Sequence, residues 1–93
     1  MNLILDTLLN ELKHAARGIV DQAAIERGSR WIEQLEVESP FWHAILMSFL
    51  YKSPDEVFDA LGAFYPDVLE FKKSQAAKDY INGLQKRLGC GER

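Results

Sequence analysis

Hydrophobic residues recur at intervals of three and four along almost the whole chain, which is the period of an α-helix. In the first such stretch they share one face of a helix from about residue 3 to 17, and they are Leu5, Leu8, Leu9, Leu12, Ala16 and Ile19. Gly18 is expected to end this helix, because glycine adopts the left-handed backbone conformation without strain.

The second helix is predicted to begin after Asp21, whose carboxylate can accept a hydrogen bond from a backbone N–H of the first turn. Its inward face is formed by Ala24 or Ile25 together with Gly28, Trp31, Ile32 and Leu35. Glycine within a helix costs about 1 kcal/mol relative to alanine. We therefore expect Gly28 to permit the close approach of a neighbouring helix.

The third predicted helix is apolar on almost every side. It begins at Ser39-Pro40, a cap followed by proline at the first helical position, and runs to Tyr51. A short helix is either central or covered by a partner when it is apolar all round. This helix is therefore the first place to look for a binding surface.

Two further starts are visible in the second half of the chain. Ser53-Pro54-Asp55-Glu56 matches a capping box, in which Ser53 and Glu56 each accept a backbone N–H of the other. Pro66-Asp67 is expected to begin a last helix that continues to Leu88.

These patterns predict an all-α fold of about five short helices, with breaks near Gly18, Ser39, Ser53 and Pro66. Short connections favour antiparallel neighbours, so the chain is predicted to form two αα-hairpins plus a C-terminal helix. We expect one helical domain over residues 1–89 and a frayed tail over residues 90–93.

The two hairpins can be compared by a shift of 34 residues, the spacing of tetratricopeptide repeats. The shift aligns Asp21 with Asp55 and Gly28 with Gly62, but it also aligns Ile25 with Asp59. A tetratricopeptide-like arrangement and an unrelated pair of hairpins both stay open.

Composition excludes several classes of function. Cys90 is the single cysteine among 93 residues, so no intrachain disulfide can form. His14 and His43 have no metal-ligand spacing, and neither a nucleophile motif nor a glycine-rich phosphate loop is present. We therefore expect no catalysis, no cofactor and no metal. No signal peptide and no run of ~18 apolar residues is found, so a cytoplasmic location without membrane insertion is predicted.

Charge is unevenly distributed along the chain. Residues 1–70 contain twelve acids and five bases, a net charge of −7, whereas residues 71–93 contain six bases and two acids, a net charge of +4. The basic end either attracts an oppositely charged partner or complements a helix dipole. The acidic sequence pI of about 5.3 argues against nucleic-acid binding.

Aromatic residues make up 11% of the chain, more than five short helices are expected to bury. Exposed apolar patches commonly mark protein interaction sites. The residues predicted to contact a partner are Trp31, Phe41 and Trp42, flanked by Phe64 and Tyr65. The expected ligand is the amphipathic helix of another protein.

Several segments together resemble a known family. The segments that carry the resemblance are Leu8-Leu9 with Glu11-Leu12, then Gly18, Trp31-Ile32 and the closing Tyr80-Ile81-Asn82-Gly83-Leu84. Through them the chain resembles the small tetratricopeptide-like chaperones of type III secretion needle subunits. The resemblance implies a cytoplasmic chaperone that cradles a helix of a self-assembling subunit, together with a second small chaperone. The alternative is a small acidic inhibitor or adaptor, of a phage or immunity type, that masks the surface of a partner protein.

Overall fold

The computed structural model describes residues 3–18 and 20–90, and these residues form helices without any β-strand. The helices are α1 (Leu3–Arg17), α2 (Gln22–Glu38), α3 (Pro40–Leu50), α4 (Pro54–Gly62), a 3₁₀ segment (Pro66–Lys73) and α5 (Gln75–Leu88). The predicted all-α class is confirmed. The tetratricopeptide-like arrangement of the hairpins stays a prediction.

Capping accounts for most of the helix boundaries. The Asp21 carboxylate accepts the Ala24 N–H at 2.9 Å. The capping box at α4 is complete, with the Glu56 N–H donating to Ser53 Oγ at 3.4 Å and the Ser53 N–H donating to Glu56 Oε1 at 3.2 Å. These local hydrogen bonds satisfy backbone donors that the first helical turn leaves without partners.

Two predicted boundaries are in the expected place, but their local geometry differs from the prediction. The Ser39 side chain makes no capping hydrogen bond at α3, where Pro40 already removes one of the N–H groups that need a partner. Gly18 ends α1 without a positive φ, whereas Gly89 closes α5 with φ of 76°. The left-handed closure therefore occurs at the C-terminal end of the fold and not after α1.

The predicted last helix is divided in two at Ser74. Pro66–Lys73 forms a 3₁₀ helix, and α5 begins only at Gln75. Ser74 Oγ accepts the Ala77 N–H at 3.1 Å and donates to the Ala16 carbonyl at 3.2 Å. One hydroxyl therefore caps α5 and ties it to the end of α1, which a continuous helix could not do.

The core forms where α5 packs against α1, α2 and α4. Leu35, Val57, Phe58 and Ala77 are completely buried at this centre. The buried Gln85 amide donates to the Leu50 carbonyl at 3.0 Å and also to the Lys52 carbonyl, so α5 binds the C-terminal end of α3. Polar and apolar contacts together hold the other helices on α5.

Gly28 lies at the α2–α5 contact, as expected. A Cβ at this position would collide with the Tyr80 hydroxyl and lie 3.1 Å from Leu84 Cδ2. The absent side chain is therefore what lets α5 pack so closely on α2.

The chain is held in place as far as Cys90, which is buried and donates its N–H to the Gln85 carbonyl at 2.8 Å. The rest of the predicted frayed tail, residues 91–93, lies outside the described residues. No helix within the described ranges has both the length and the apolarity needed to cross a membrane.

Candidate protein-binding surface

Four aromatic rings from α3 and the turn after α4 form one cluster, which we call the aromatic patch: Phe41, Trp42, Phe49 and Phe64. The Trp42 ring meets the Phe41 ring edge-on at a centroid distance of 5.5 Å, and it meets the Phe64 ring in the same way at 6.0 Å. Phe49 lies 6.1 Å from Phe64. Edge-to-face pairs of this kind favour a defined ring geometry.

The patch is partly open to solvent. Phe41 is 69% exposed and Phe64 is 43% exposed, whereas Trp42 and Phe49 are half-buried against the core. The pattern follows from α3 itself, because Leu46 and Leu50 use its buried side and every other side also carries apolar residues. Among the described helices α3 packs mainly on α2 and α4, and Phe41 on its remaining side stays exposed.

A small crevice of about 20 Å³ lies beneath the patch, between Trp42, Phe49, Phe64 and the underlying Leu5 and Leu61. Its size leaves no room for an apolar side chain to enter. A partner would therefore lie against the faces of the rings and not insert between them.

Tyr65 connects the patch to a neighbouring groove. Its ring lines the crevice under the patch, and its hydroxyl donates a long hydrogen bond of 3.5 Å to Asp6 Oδ1 on α1. Burial, together with the negative charge of Asp6, raises the pKa of Tyr65. The phenol therefore stays protonated at neutral pH and acts as a donor.

The groove between α1 and the 3₁₀ segment, which we call the α1 groove, is a concavity that adjoins the patch at Phe64 and Tyr65. Its volume is about 700 Å³. Its apolar lining comes from Leu9, Val68 and Phe71, with Phe64 and Tyr65 at the end nearest the patch. Charged side chains of both elements line its walls. The patch and the groove thus form one continuous surface.

Trp31 lies apart from this surface. It is half-buried on α2 against the core, and no ring contact within the described chain joins it to the aromatic patch. Of the five predicted contact residues, the structure brings together Phe41, Trp42, Phe64 and Tyr65. A role for Trp31 in binding stays a prediction.

The reactive side chains are dispersed. Among residues 3–18 and 20–90, no three His, Cys, Asp or Glu side chains lie together as a metal ion would require. Burial raises the pKa of the Cys90 thiol, which keeps it protonated. Burial also raises the pKa of Tyr80 far above its ordinary value, with the nearby Glu11 acting in the same direction.

Sequence reasoning missed Phe49 as a patch residue and missed the whole α1 groove. Phe49 lies within the third predicted helix, which is apolar almost all round, so period alone does not separate its inner from its outer side. One polar face of α1 was indicated by polar residues at spacings of four, three and four: Asp6, Asn10, Lys13 and Arg17. The opposite wall could not be foreseen, because it belongs to the unpredicted 3₁₀ segment.

Comparison with known proteins gives no relative: no family model, no curated protein and no solved structure matches this chain. The resemblance to the needle-subunit chaperones therefore depends only on the residues that carry it.

Proposed function

We propose that this protein is a non-enzymatic binding module that docks the apolar face of a partner helix on its aromatic patch. The observation that carries the proposal is the exposure of Phe41 and Phe64 within a cluster of contacting rings. Exposed apolar clusters of this kind are typical of interaction sites. Their aromatic composition matches the enrichment of aromatic residues at interface centres.

The ring contacts also favour binding energetically. Trp42 contacts both Phe41 and Phe64, so the three rings restrict one another's rotamers before any partner arrives. Ordering side chains at an interface otherwise costs about 0.5–1.5 kcal/mol for each immobilised residue. A preorganised patch reduces this cost of ordering side chains. Helix-in-groove recognition uses apolar surfaces of this kind.

The more specific form of the proposal is a cytoplasmic chaperone for a self-assembling helical subunit, such as a type III secretion needle subunit, acting with a second small chaperone. The resemblance of the sequence supports this form, and the patch supplies a surface that could replace contacts of the subunit's own polymer. A small acidic inhibitor or adaptor is the second candidate, which is favoured by the net charge of −7 on residues 1–70.

The first test uses a synthetic amphipathic helix of about 18 residues with Leu and Phe along one face. Phe64→Ala should weaken its binding by at least ~30-fold, because a central aromatic anchor is worth about 2 kcal/mol or more. Phe41→Ala should act in the same direction. Binding is measured by fluorescence anisotropy, and folding is followed by circular dichroism.

Two control variants show whether a loss of binding comes from the patch itself or from unfolding of the domain. Tyr51→Ala removes an aromatic side chain that is 59% exposed at the end of α3 but is outside the patch, so binding should be unchanged. Leu46→Ala opens the core and should reduce stability and binding together. The proposal fails if Phe64→Ala and Phe41→Ala lose binding only when they also unfold the domain.

A second measurement separates the two candidate functions. A chaperone at equimolar concentration should suppress the light scattering of a purified needle-type subunit, and Phe64→Ala should abolish that suppression. An acidic inhibitor should instead bind a folded basic protein in a salt-sensitive way that Phe64→Ala leaves unchanged.

A further inference from the structure

The α1 groove has a defined direction, because α1 and the 3₁₀ segment run side by side with the same polarity. At one end the Tyr65 hydroxyl, just before the segment, contacts Asp6 near the start of α1. At the other end Ser74, just after the segment, donates to the Ala16 carbonyl near the end of α1 at 3.2 Å. The two ends of the groove can therefore be assigned to the two ends of α1.

The charges along the groove are segregated. Asp6 and Asp67 lie at the end next to Phe64, whereas Lys13 and Arg17 line the opposite end. Asp6 and Arg17 are eleven residues apart on one helix, a separation of about 16 Å along its axis. Glu70 stands on the opposite wall between the two ends. The groove is thus negative near the patch and positive at its far end.

Among the described residues, the charges at the two groove ends form no ion pair with one another or with the rest of the fold. The ion pairs found in the described part of the chain are Arg27–Glu11, Lys72–Asp59 and Lys78–Asp55, none of which includes a charge at either groove end. Asp6, Lys13, Arg17 and Asp67 are all exposed. They are therefore available to select the charges of a ligand.

We infer that the α1 groove binds a partner helix antiparallel to α1, with acidic side chains in its first turn and basic side chains in its last turn. This inference rests on the proposed function and names the partner's chemistry and direction. Acidic residues would meet Lys13 and Arg17, and basic residues would meet Asp6 and Asp67. The same placement stabilises the partner helix itself, because acids favour a helix N-terminus and bases its C-terminus.

A heterologous helix fits the groove better than a second copy of this chain. The groove presents the partly exposed side chains of Leu9 and Phe71, which favour an apolar face on the ligand. α1 carries an acid-to-base order of its own, but most of its apolar residues are buried in the core and most of its exposed residues are polar. A partner helix with an available apolar stripe supplies both the charge order and the apolar contact.

The experiment is a charge-swap cycle with synthetic peptides. The matched probe is an amphipathic helix of about 18 residues with Glu in its first turn and Lys in its last turn. The double variant Asp6→Lys with Asp67→Lys should bind this probe about tenfold more weakly or worse, because its new lysines then face the lysines of the probe. A probe with Glu in place of the last-turn Lys should bind that variant with the affinity restored, because opposite charges meet again.

The opposite end supplies an independent arm. Lys13→Glu with Arg17→Glu should weaken the matched probe, and a probe with Lys in place of the first-turn Glu should recover binding. The control is the double variant Glu33→Lys with Glu36→Lys, at exposed positions of α2, which changes the net charge as much as the first pair. It should leave the difference in affinity between the probes unchanged. Melting curves establish that each variant is folded.

The outcomes distinguish the two proposals. Recovery at both ends supports the inference, and the recovery should shrink at high salt. If the groove variants behave like the α2 control while Phe64→Ala still abolishes binding, the groove assignment is wrong and the proposed function stands. If no probe binds the unmodified protein, both fail. A stable dimer that the groove variants dissociate would make a second copy the occupant and overturn the inference.

Discussion

Aromatic side chains have opposite fates in two regions of this molecule. At the α2–α5 contact, Tyr80 is only 1% exposed and lies over Gly28. On α3 and in the turn after α4, Phe41 and Phe64 remain exposed although α3 is more apolar in composition. Hydrophobicity alone therefore does not decide which ring is buried.

The difference lies in what the neighbouring helix provides. Gly28 of α2 makes room for Tyr80 of α5, and Gly83 of α5 makes room for Ile25 of α2, whose Cγ1 would lie 2.9 Å from an added Cβ. This reciprocal exchange brings the two helices close together. α3 contains no glycine, and its bulky aromatic side chains, such as that of Phe41, leave part of its apolar surface outside. Such surplus surface is what a partner can use.

The largest expected effect comes from comparing one substitution in the two environments. Phe58→Ala removes a ring that is completely buried and should reduce the free energy of unfolding by about 3–5 kcal/mol. Phe41→Ala removes an exposed ring and should change it by less than about 0.5 kcal/mol. Urea unfolding measures both. Equal losses would show that Phe41 is part of the core and that the patch is not available for binding.

An intermediate effect is expected at the tight contact. Gly28→Leu should destabilise the fold by about 1–3 kcal/mol through overpacking against Tyr80 and Leu84. The smaller change Gly28→Ala should become less costly in a Tyr80→Phe background, because that variant lacks the atom nearest to the new Cβ.

Gly18→Ala is the matched control for the tight contact, since its nearest neighbour to a new Cβ is the His14 carbonyl oxygen at 3.9 Å. Urea melts should show little change for this variant. If Gly28→Leu were as stable as the parent, the close approach of α2 and α5 would be disproved.

Helix positions were predictable wherever the signal is local. Asp21, Ser53 and the prolines mark their helix starts because capping involves residues within one turn. The break at Ser74 was missed because its hydroxyl is held by the carbonyl of Ala16, a contact made only in the folded chain. The preceding 3₁₀ segment packs Leu69 over Gly62, a contact that periodicity does not reveal.

The binding surface was predictable only in part, for a related reason. The apolar excess of the third helix pointed to Phe41 and Trp42, and the next connection added Phe64 and Tyr65. Which sides of that helix face inward depends on the placement of its neighbours, so Phe49 was not recognised. The α1 groove needs both α1 and the unforeseen 3₁₀ segment, and therefore no pattern within one element could indicate it.

The smallest expected effect comes from comparing two helix N-caps, Ser53 of α4 and Ser74 of α5. Ser53→Ala should cost about 0.5–2 kcal/mol at neutral pH. Hydrogen bonds from the Ser53 hydroxyl, at 2.9 Å, and from its N–H lower the pKa of Glu56. A lowered pKa in the folded state stabilises the fold above the ordinary pKa of the carboxyl. That contribution is lost as the pH falls through the lowered value.

The cost of Ser53→Ala should therefore be smaller at pH 3 than at pH 7, as thermal melts of variant and parent at both values can measure. Ser74→Ala provides the control, because Ser74 caps α5 with Ala77 at the position where Glu56 stands in α4. Without a carboxylate in that cap, its cost should be the same at both pH values. A parallel pH dependence in the two variants would assign the effect to general acid destabilisation and not to the capping box.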